Sequence, residues 1–434
     1  MLNSLRAWPK TFICLSLIAF SLTPPLVLAQ EDNSPSSQVE AAKPLPRIAA
    51  IVTEYRHNSH ADVIVSRLMQ TNTLDGKGET PQLELVSLWT DQVPESDTSR
   101  KLAKEHGVPI YESIEEALTM GTGKLAVDGI LLVAEHGQYE KSATGQVIYP
   151  KLRLFKQIEK VFRKTGQIVP IFHDKHIADN WEDSMQIMSA IRELHIPYIA
   201  GSSLPVLWRI PDANTERGEH IKEVVATSYG SLDAYGFHAL EMVHCLIDRR
   251  AGGETGVTSV QCLEGEAVWK AMEDGVFDQE LLKECLGRLT KHSPPKLSEV
   301  KEQTREPVLF IINYNDGLKA SVLTLNGPVN EWTVAWRNAD TGKSTATTFW
   351  TQEARPFMHF TYLLKGAEKM FHTGKPTWNV ERTLLVSGTL DALLQSKVAG
   401  GKLIETPYLD VTYTPKWEWK QPPPPPPGRP IMSQ

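Results

Sequence analysis

Short apolar runs alternate with amphipathic stretches along the first half of the chain. The runs are four to seven residues long, the length of a strand buried inside a sheet. The stretches between them carry apolar residues at three- and four-residue intervals, as helices do. The pattern predicts strands at 47–53, 83–88, 108–111, 127–133, 168–172 and 196–200, and helices at 60–69, 99–105, 114–120, 152–163 and 181–194. Strands that alternate with helices pair in parallel, so we expect a doubly wound α/β sheet.

The pattern changes beyond about residue 220, where extended runs follow one another with only turn residues between them. Consecutive strands of this kind form a mainly antiparallel sheet. We therefore expect a Rossmann-like domain at 47–215 and an α+β substrate or oligomerisation domain at 216–415. The predicted strands are 257–263, 308–314, 320–326, 331–337 and 345–351, and the helices are 232–249, 357–373 and 382–395. The tail at 416–434 holds six consecutive prolines, which predict a stiff exposed end outside any core.

The first 29 residues have the organisation of a signal peptide. Arg6 and Lys10 precede an apolar run at 11–20, and small residues at 27–29 offer a cleavage site. A polar, proline-containing linker at 30–46 follows. We expect export to the periplasm or outside the cell, with no membrane span after cleavage. The alternative is a retained anchor, but the apolar run is short for a span of about 20 residues.

Charge and cysteine content exclude two classes of protein. The net charge of −7 and the pI near 6.0 argue against nucleic acid as a partner, because phosphate binding needs a basic face. Cys14 lies in the signal peptide, which leaves Cys245, Cys262 and Cys285. Three cysteines without a CxxC pair do not make a disulfide scaffold, and the sequence does not decide whether two of them pair.

Polar side chains follow four of the predicted strands in the first half. The carboxyl ends of parallel strands meet at one edge of a sheet, which is where ligands bind in open α/β folds. We expect a ligand to bind at this rim, and the resemblance given in the next paragraph implies a carbohydrate-like small molecule or a polysaccharide. The substrate-binding candidates are Tyr55, Arg56, His60, His136, Tyr139, His173, His176, Trp208 and Arg209.

Three segments resemble the Gfo/Idh/MocA family of sugar oxidoreductases. Residues 172–176, Phe-His-Asp-Lys-His, stand where the family has its Glu-Lys-Pro motif. Residues 230–241 are similar to its G…D-x-G-x-H-x-x-D helix, and 373–385 to its closing helix. The resemblance implies NAD(P)-dependent hydride transfer on a sugar or cyclitol. Lys175 would orient the reacting hydroxyl and His238 would act as the acid/base.

Two departures from the family pattern affect the catalytic aspartate and the cofactor. The family's aspartate position holds Ala234, and Asp233 is displaced by one residue, about 100° around a helix. Asp233 is therefore the third catalytic candidate only if the helix begins with an altered turn. The loop at 53–61 has no glycine, although a Rossmann fingerprint needs glycines beside the pyrophosphate. A helix N-terminus with Arg56 still offers an anion site, so NAD(P) binding is left open.

Other chemistries use the same rim without a nicotinamide. His136, His173 and His176, with Glu135 or Asp174, are suitable ligands for a divalent metal. A cofactor-independent or metal-assisted hydrolase or lyase, and a non-catalytic sugar-binding protein, are the alternatives to an oxidoreductase. Assembly into a homo-oligomer is also left open.

Overall fold

The computed structural model of the protein describes residues 44–290 and 293–429. The predicted signal peptide lies outside the described residues, as does the linker apart from residues 44–46. From Leu45 onward the chain forms a single compact unit. Within the described part of the chain, no helix has the length and apolar character needed to cross a membrane.

Five parallel strands form the first sheet, in the order β2-β1-β3-β4-β5. The doubly wound α/β fold predicted for this half is thus confirmed. The predicted strand at 108–111 is wrong: it makes only one bridge, Leu88 to Ile110, because Pro109 has no amide hydrogen with which to extend a ladder. The elements are β1 (Arg47–Glu54), α1 (His60–Met69), β2 (Glu84–Gln92), α2 (Ser99–His106), α3 (Ile114–Thr119), β3 (Gly129–Val133), α4 (Lys151–Thr165), β4 (Ile171–Asp174), α5 (Trp181–Glu193) and β5 (Tyr198–Gly201).

Eight strands form the second sheet, in the order β13-β8-β9-β10-β7-β11-β12-β6. Only β10 and β7 pair in parallel, so the sheet is mainly antiparallel, as predicted. The sequence pattern missed β6 and β7. The elements are β6 (Trp208–Ile210), β7 (Ile221–Ser228), α6 (Ala234–Ile247), β8 (Val257–Glu264), α7 (Glu266–Glu273), α8 (Gln279–Leu286), α9 (Leu297–Gln303), β9 (Arg305–Tyr314), β10 (Lys319–Asn326), β11 (Trp332–Asn338), β12 (Ser344–Trp350), α10 (His359–Thr373), α11 (Val380–Val398) and β13 (Ile404–Glu405).

Helices cover both faces of each sheet. Two helices of the second half, α10 and α11, also pack against the first half. α3, α4 and α5 pack on one face of the first sheet, and α1 and α10 on the other. α10 follows the second sheet in the chain but packs on the first, where the ring of Phe371 lies so close to Gly129 that a Cβ there would be 2.5 Å from it. α6 and α11 cover the second sheet on one face, and α7, α8 and α9 on the other. The edge of the first sheet therefore faces α6 across a narrow space.

The proline-rich tail is not the free end that its composition predicts. Pro422 is buried, and the indole of Trp208 donates to the carbonyl of Pro423 over 2.9 Å. The side chain of Gln352 donates to the carbonyl of Pro426 over 2.6 Å. Polyproline has no internal hydrogen bonds, so its carbonyls are free to accept from neighbouring side chains. The tail is docked along the molecule as far as Arg429.

The three cysteines are all buried and unpaired. Burial raises the pKa of the thiols of Cys245, Cys262 and Cys285, each to about 11 or 12. They are part of the cores of the second half.

Candidate functional site

A cavity of about 310 Å³ lies where the carboxyl edge of the first sheet faces α6. We call it the cleft. The first half contributes loop residues after β1, β3, β4 and β5, and the second half contributes the start of α6, the start of β11, the loop after β12 and the start of α10. The polar and aromatic lining residues are Asn58, His60, His136, Lys175, Ser203, Tyr235, His238, Trp332, Thr351, Glu353, Phe357, His359 and Phe360. Two halves of the chain thus form one polar, aromatic-walled site.

A buried network of charges holds Lys175 at the floor of the cleft. Its ammonium donates to Glu135 over 3.1 Å, and Lys151 donates to the other oxygen of Glu135 over 2.8 Å. Burial alone would lower the pKa of Lys175, but the carboxylates of Glu135 and Asp174 outweigh it and the pKa is raised. Burial would likewise raise the pKa of Glu135, yet the two lysines hold it well below the usual range. Lys175 is therefore a cation at neutral pH.

The backbone at Lys175 places this side chain at the end of β4. Its φ is +57°, in the left-handed region that a non-glycine residue rarely adopts. Its amide donates to the carbonyl of Gly201 at the end of β5 over 3.0 Å. The strained turn redirects the chain, so that Lys175 reaches Glu135 while the neighbouring His176 packs its ring 4.3 Å from that of Phe237.

His60 and His136 form the wall on the first-sheet side. Nδ1 of His60, at the start of α1, lies 2.6 Å from Asp174 Oδ2, and the two imidazole rings meet edge to face at 5.3 Å. Nδ1 of His136 accepts from Arg56 over 3.2 Å. Burial and the neighbouring His60 and Lys175 lower the pKa of His136 to about 3, so its ring is neutral at physiological pH.

His238 lies on α6, opposite this wall. Burial, and then the charge of Lys175, hold its pKa well below the usual range, so the ring is neutral. Lys175 and His238 both line the cleft. A neutral imidazole beside a fixed cation accepts a proton while the cation stabilises negative charge on the reacting molecule.

Four lining side chains carry a buried nitrogen that has no hydrogen-bond partner. They are the imidazoles of His136, His238 and His359 and the indole of Trp332, whose orphan atoms are Nε2, Nδ1, Nδ1 and Nε1. Buried polar atoms in folded proteins are nearly always hydrogen-bonded. Four side chains of the cleft lining thus hold a polar nitrogen that the described residues leave unpaired.

Asp233 is close to this site but outside its lining. Its Oδ2 accepts from the amide of Val147 over 3.0 Å, and its Oδ1 lies 3.9 Å from Nε2 of His176. It stands at the cap position of α6, one residue before the first helical residue, Ala234. The structure thus places it on the far side of His176, where it orders the 134–150 loop.

Seven of the nine residues predicted to bind substrate at the rim are not part of the cleft lining. Two of them, Tyr139 and His176, contact Asp91 and Phe237 instead. Tyr55 is buried under α1, with its hydroxyl 2.7 Å from Ser66. Arg56 pairs with Glu54 beside the cleft. Trp208 and Arg209 belong to β6, so they pair with β12 at the far edge of the second sheet. The ring of His173 turns into the core of the first sheet, where Nδ1 meets the hydroxyl of Tyr198 at 2.7 Å.

The metal ligands suggested by the sequence do not come together. His173 contacts Tyr198, whereas His136 contacts Arg56 and His60. Both oxygens of Glu135 are engaged by lysines. In the described ranges, no group of three or more His, Cys, Asp or Glu side chains is placed to hold a metal ion.

The 134–150 loop covers the place where a Rossmann fold binds a dinucleotide. Gln138 exchanges two hydrogen bonds with Gln92 at the end of β2, and the hydroxyl of Tyr139 donates to Asp91 over 2.8 Å. Because β1 lies between β2 and β3, a loop that leaves β3 and reaches β2 crosses the carboxyl end of β1. The pyrophosphate and the adenosine ribose bind at that edge in dinucleotide-binding folds.

The first turn of α1 is also unsuited to a pyrophosphate. Asp62 lies in this turn and accepts from the amide of Asn58 over 2.8 Å and from Arg355 over 2.7 Å. Burial would raise the pKa of Asp62, but the bonds from Arg355 and Ser66 outweigh it and the pKa is lowered. A carboxylate, paired with Arg355, therefore lies in the first turn of α1, where a pyrophosphate would meet a negative charge. The residues present do not fit a bound dinucleotide.

The sequence reasoning missed four residues that shape the cleft: Lys151, Trp332, Glu353 and His359. None belongs to a local motif, and three come from segments 150 or more residues away from His60 along the chain. One feature of the sequence could have identified Lys151: it is the first residue of the helix that follows Glu135.

The fold is that of Gfo/Idh/MocA-type dehydrogenases, a Rossmann-like domain joined to a mainly antiparallel sheet. One similar structure is GenD2 from gentamicin A biosynthesis in complex with NAD, 13% identical, covering 84% of this chain and 97% of that one with a TM-score of 0.52. Another is myo-inositol 2-dehydrogenase from Lactobacillus plantarum, 12% identical, covering 84% and 99% with a TM-score of 0.51. The sequence matches no protein-family model and no curated protein. At these identities the likeness establishes the fold.

Proposed function

We propose that this protein is an exported enzyme that binds a carbohydrate or cyclitol in the cleft and acts on it by proton transfer, without a nicotinamide. The observation that carries the proposal is the polar and aromatic lining of one cavity, where neutral imidazoles lie around the cation of Lys175. A ligand with several hydroxyl groups supplies both donors and acceptors to such side chains. The cavity of about 310 Å³ suits a single sugar ring, at the small end of ligand sites of about 300–1,000 Å³.

The side chains support an elimination, a lyase reaction. In a keto form of the bound sugar or cyclitol, neutral His238 would take a proton from the carbon next to the carbonyl group, and the Lys175 ammonium would stabilise the resulting oxyanion. Burial raises the pKa of the Tyr235 phenol, so it stays protonated and can donate its proton to the departing hydroxyl group. The carbon–hydrogen and carbon–oxygen bonds break, a carbon–carbon double bond forms, and water leaves.

The alternative is the dehydrogenase chemistry of proteins with this fold. One observation favours it: Lys175 and His238, at the two positions that resemble the family's catalytic residues, do face one cleft. It requires a dinucleotide at an edge that the 134–150 loop covers.

Calorimetric titration with neutral sugars and cyclitols tests ligand binding at the cleft. We expect myo-inositol, D-glucose or D-xylose to bind, and Trp332→Phe to weaken that binding about five-fold. The variant keeps the aromatic wall but loses one hydrogen bond, worth about 1 kcal/mol. Trp269→Phe is the matched control, because Trp269 belongs to α7, which packs on the other face of the second sheet. Absence of binding by all three compounds, or equal weakening in both variants, contradicts the proposal.

A further inference from the structure

The docked tail binds the exposed edge of the second sheet. We call residues 417–429 the strap. The side-chain amide of Gln421 both accepts from the amide of Arg209 and donates to its carbonyl, each over 3.0 Å, as a neighbouring strand would. The indole of Trp419 donates to Leu207 over 2.9 Å, and its ring stacks 4.1 Å from the guanidinium of Arg209. These contacts anchor the strap on β6, an edge strand that otherwise lacks a partner on one side.

The far end of the strap holds the loop that forms one wall of the cleft. This cleft loop comprises residues 351–357. The amide of Arg429 donates to the carbonyl of Arg355 over 2.6 Å, and its guanidinium pairs with Asp75 of the first half at 2.6 Å. At Gly428 a Cβ would lie 2.7 Å from Ala354, so the two segments touch along their backbones. The strap thus fixes the cleft loop between the second sheet's edge and the first half.

Arg355 fastens the same loop from the other side. Its guanidinium donates to Asn58 over 2.9 Å and to Asp62 over 2.7 Å, both at the start of α1. Together with the bond from Gln352 to Pro426, these contacts hold the residues before and after Glu353. Because the residues on both sides of Glu353 are held by these contacts, the backbone at Glu353 has little freedom to move.

Glu353 is the carboxylate that this pinned loop presents to the cleft. It lines the cavity while remaining exposed, and it accepts a hydrogen bond from the hydroxyl of Thr351. Burial, and then the charge of Glu353, raises the pKa of the phenols of Tyr229 and Tyr235. Glu135 and Asp174, by contrast, are turned toward Lys151, Lys175 and His60. Glu353 is therefore placed to accept hydrogen bonds from the hydroxyl groups of a ligand.

We propose that Glu353 is a hydroxyl-binding residue that selects neutral sugars against anionic ones, and that the strap positions it. The selection of neutral sugars by Glu353 rests on the proposed function of the cleft. The positioning of Glu353 by the strap does not depend on that function. A carboxylate at the wall repels a ligand carboxylate and accepts from a ligand hydroxyl, so discrimination between the two follows from its charge.

Hydrogen exchange tests the positioning by the strap. We compare the full chain with Arg429→Ala and with a chain ending at Lys420, and the matched control is a chain ending at Arg429. In the first two variants the amides of the cleft loop should exchange at least ten-fold faster, and in the control they should be unchanged. Arg429→Ala keeps the test valid if the chain ending at Lys420 does not fold. Unchanged exchange of the cleft loop in the Arg429→Ala variant overturns the positioning.

Calorimetry with D-glucose and D-glucuronate tests the selection, because the two differ only in a hydroxymethyl against a carboxylate group. The full chain should prefer D-glucose, and Glu353→Gln should reduce that preference at least five-fold. If the full chain binds D-glucose but Glu353→Gln leaves the preference unchanged, the selection fails and the proposed function stands. If neither the full chain nor the variant binds either sugar, the proposed function fails and the selection fails with it.

Discussion

Glu135→Ala is expected to destabilise the protein by about 3–5 kcal/mol at neutral pH, the cost of breaking a buried ion pair by removing one partner. Glu135 is the only carboxylate in contact with both Lys151 and Lys175, at 2.8 and 3.1 Å, among the described residues. Its removal leaves the buried ammonium of Lys151 without the carboxylate it pairs with, and leaves Lys175 with the charge of Asp174 alone. Urea unfolding followed by circular dichroism measures the change. Glu140→Ala, an exposed position in the same loop, is the control and should stay within about 0.5 kcal/mol.

The loss of unfolding free energy in Glu135→Ala should become smaller as the pH falls. The pKa of Glu135 is lowered in the folded chain, so its stabilisation is fully present above the unfolded value of about 4.3 and is lost as the pH falls toward the lowered folded value. The difference between the full chain and Glu135→Ala should therefore narrow below about pH 4. A difference that stays constant as the pH falls from about 4 toward 2, or that is below about 1 kcal/mol at pH 7, contradicts the network.

His238→Gln is expected to lower turnover of a cleft substrate by about 10²–10⁴-fold, the usual contribution of general acid–base catalysis. Glutamine fills much of the same space but cannot take up a proton. Nδ1 of His238 has no protein partner to lose, so the free energy of unfolding should change by less than about 1 kcal/mol. Single-turnover kinetics on the keto form of the sugar or cyclitol that binds best in titration measures the effect.

His220→Gln provides the matched control for this variant. His220 is exposed and paired with Asp340, on the second sheet away from the cleft. Turnover by this control should equal that of the full chain. Full activity of His238→Gln, or an equal loss in both variants, removes His238 from the catalytic role.

The sequence predicted the two successive sheets and most of their helices, because buried strands and amphipathic helices leave local periodic signals. The strand β7 was missed because Ile221–Ser228 precedes the long helical run and pairs in parallel with β10, some 100 residues away. The short strand predicted at 108–111 had the right residue types but contained Pro109. The local residue pattern could predict neither the presence of β7 nor the absence of a strand at 108–111.

The sequence predicted a site at the edge of the first sheet, but it predicted only some of the residues that line the cleft. Following strand ends identified His60, His136 and Lys175, because parallel strands deliver their carboxyl ends to one edge. The direction of each side chain depended on neighbours far along the chain: His173 turned to Tyr198, and Tyr55 to Ser66. The pairing of Glu135 with two lysines, and the strap that holds Glu353, are long-range contacts that no local spacing reveals.

The central claim is that the protein acts at the cleft without a nicotinamide, because its own 134–150 loop covers the dinucleotide edge. Calorimetric titration of the purified chain with NADH and NADPH tests this claim most directly. The account predicts no saturable heat at up to millimolar concentrations of either dinucleotide. One-to-one binding with a micromolar Kd would contradict it and restore the dehydrogenase alternative.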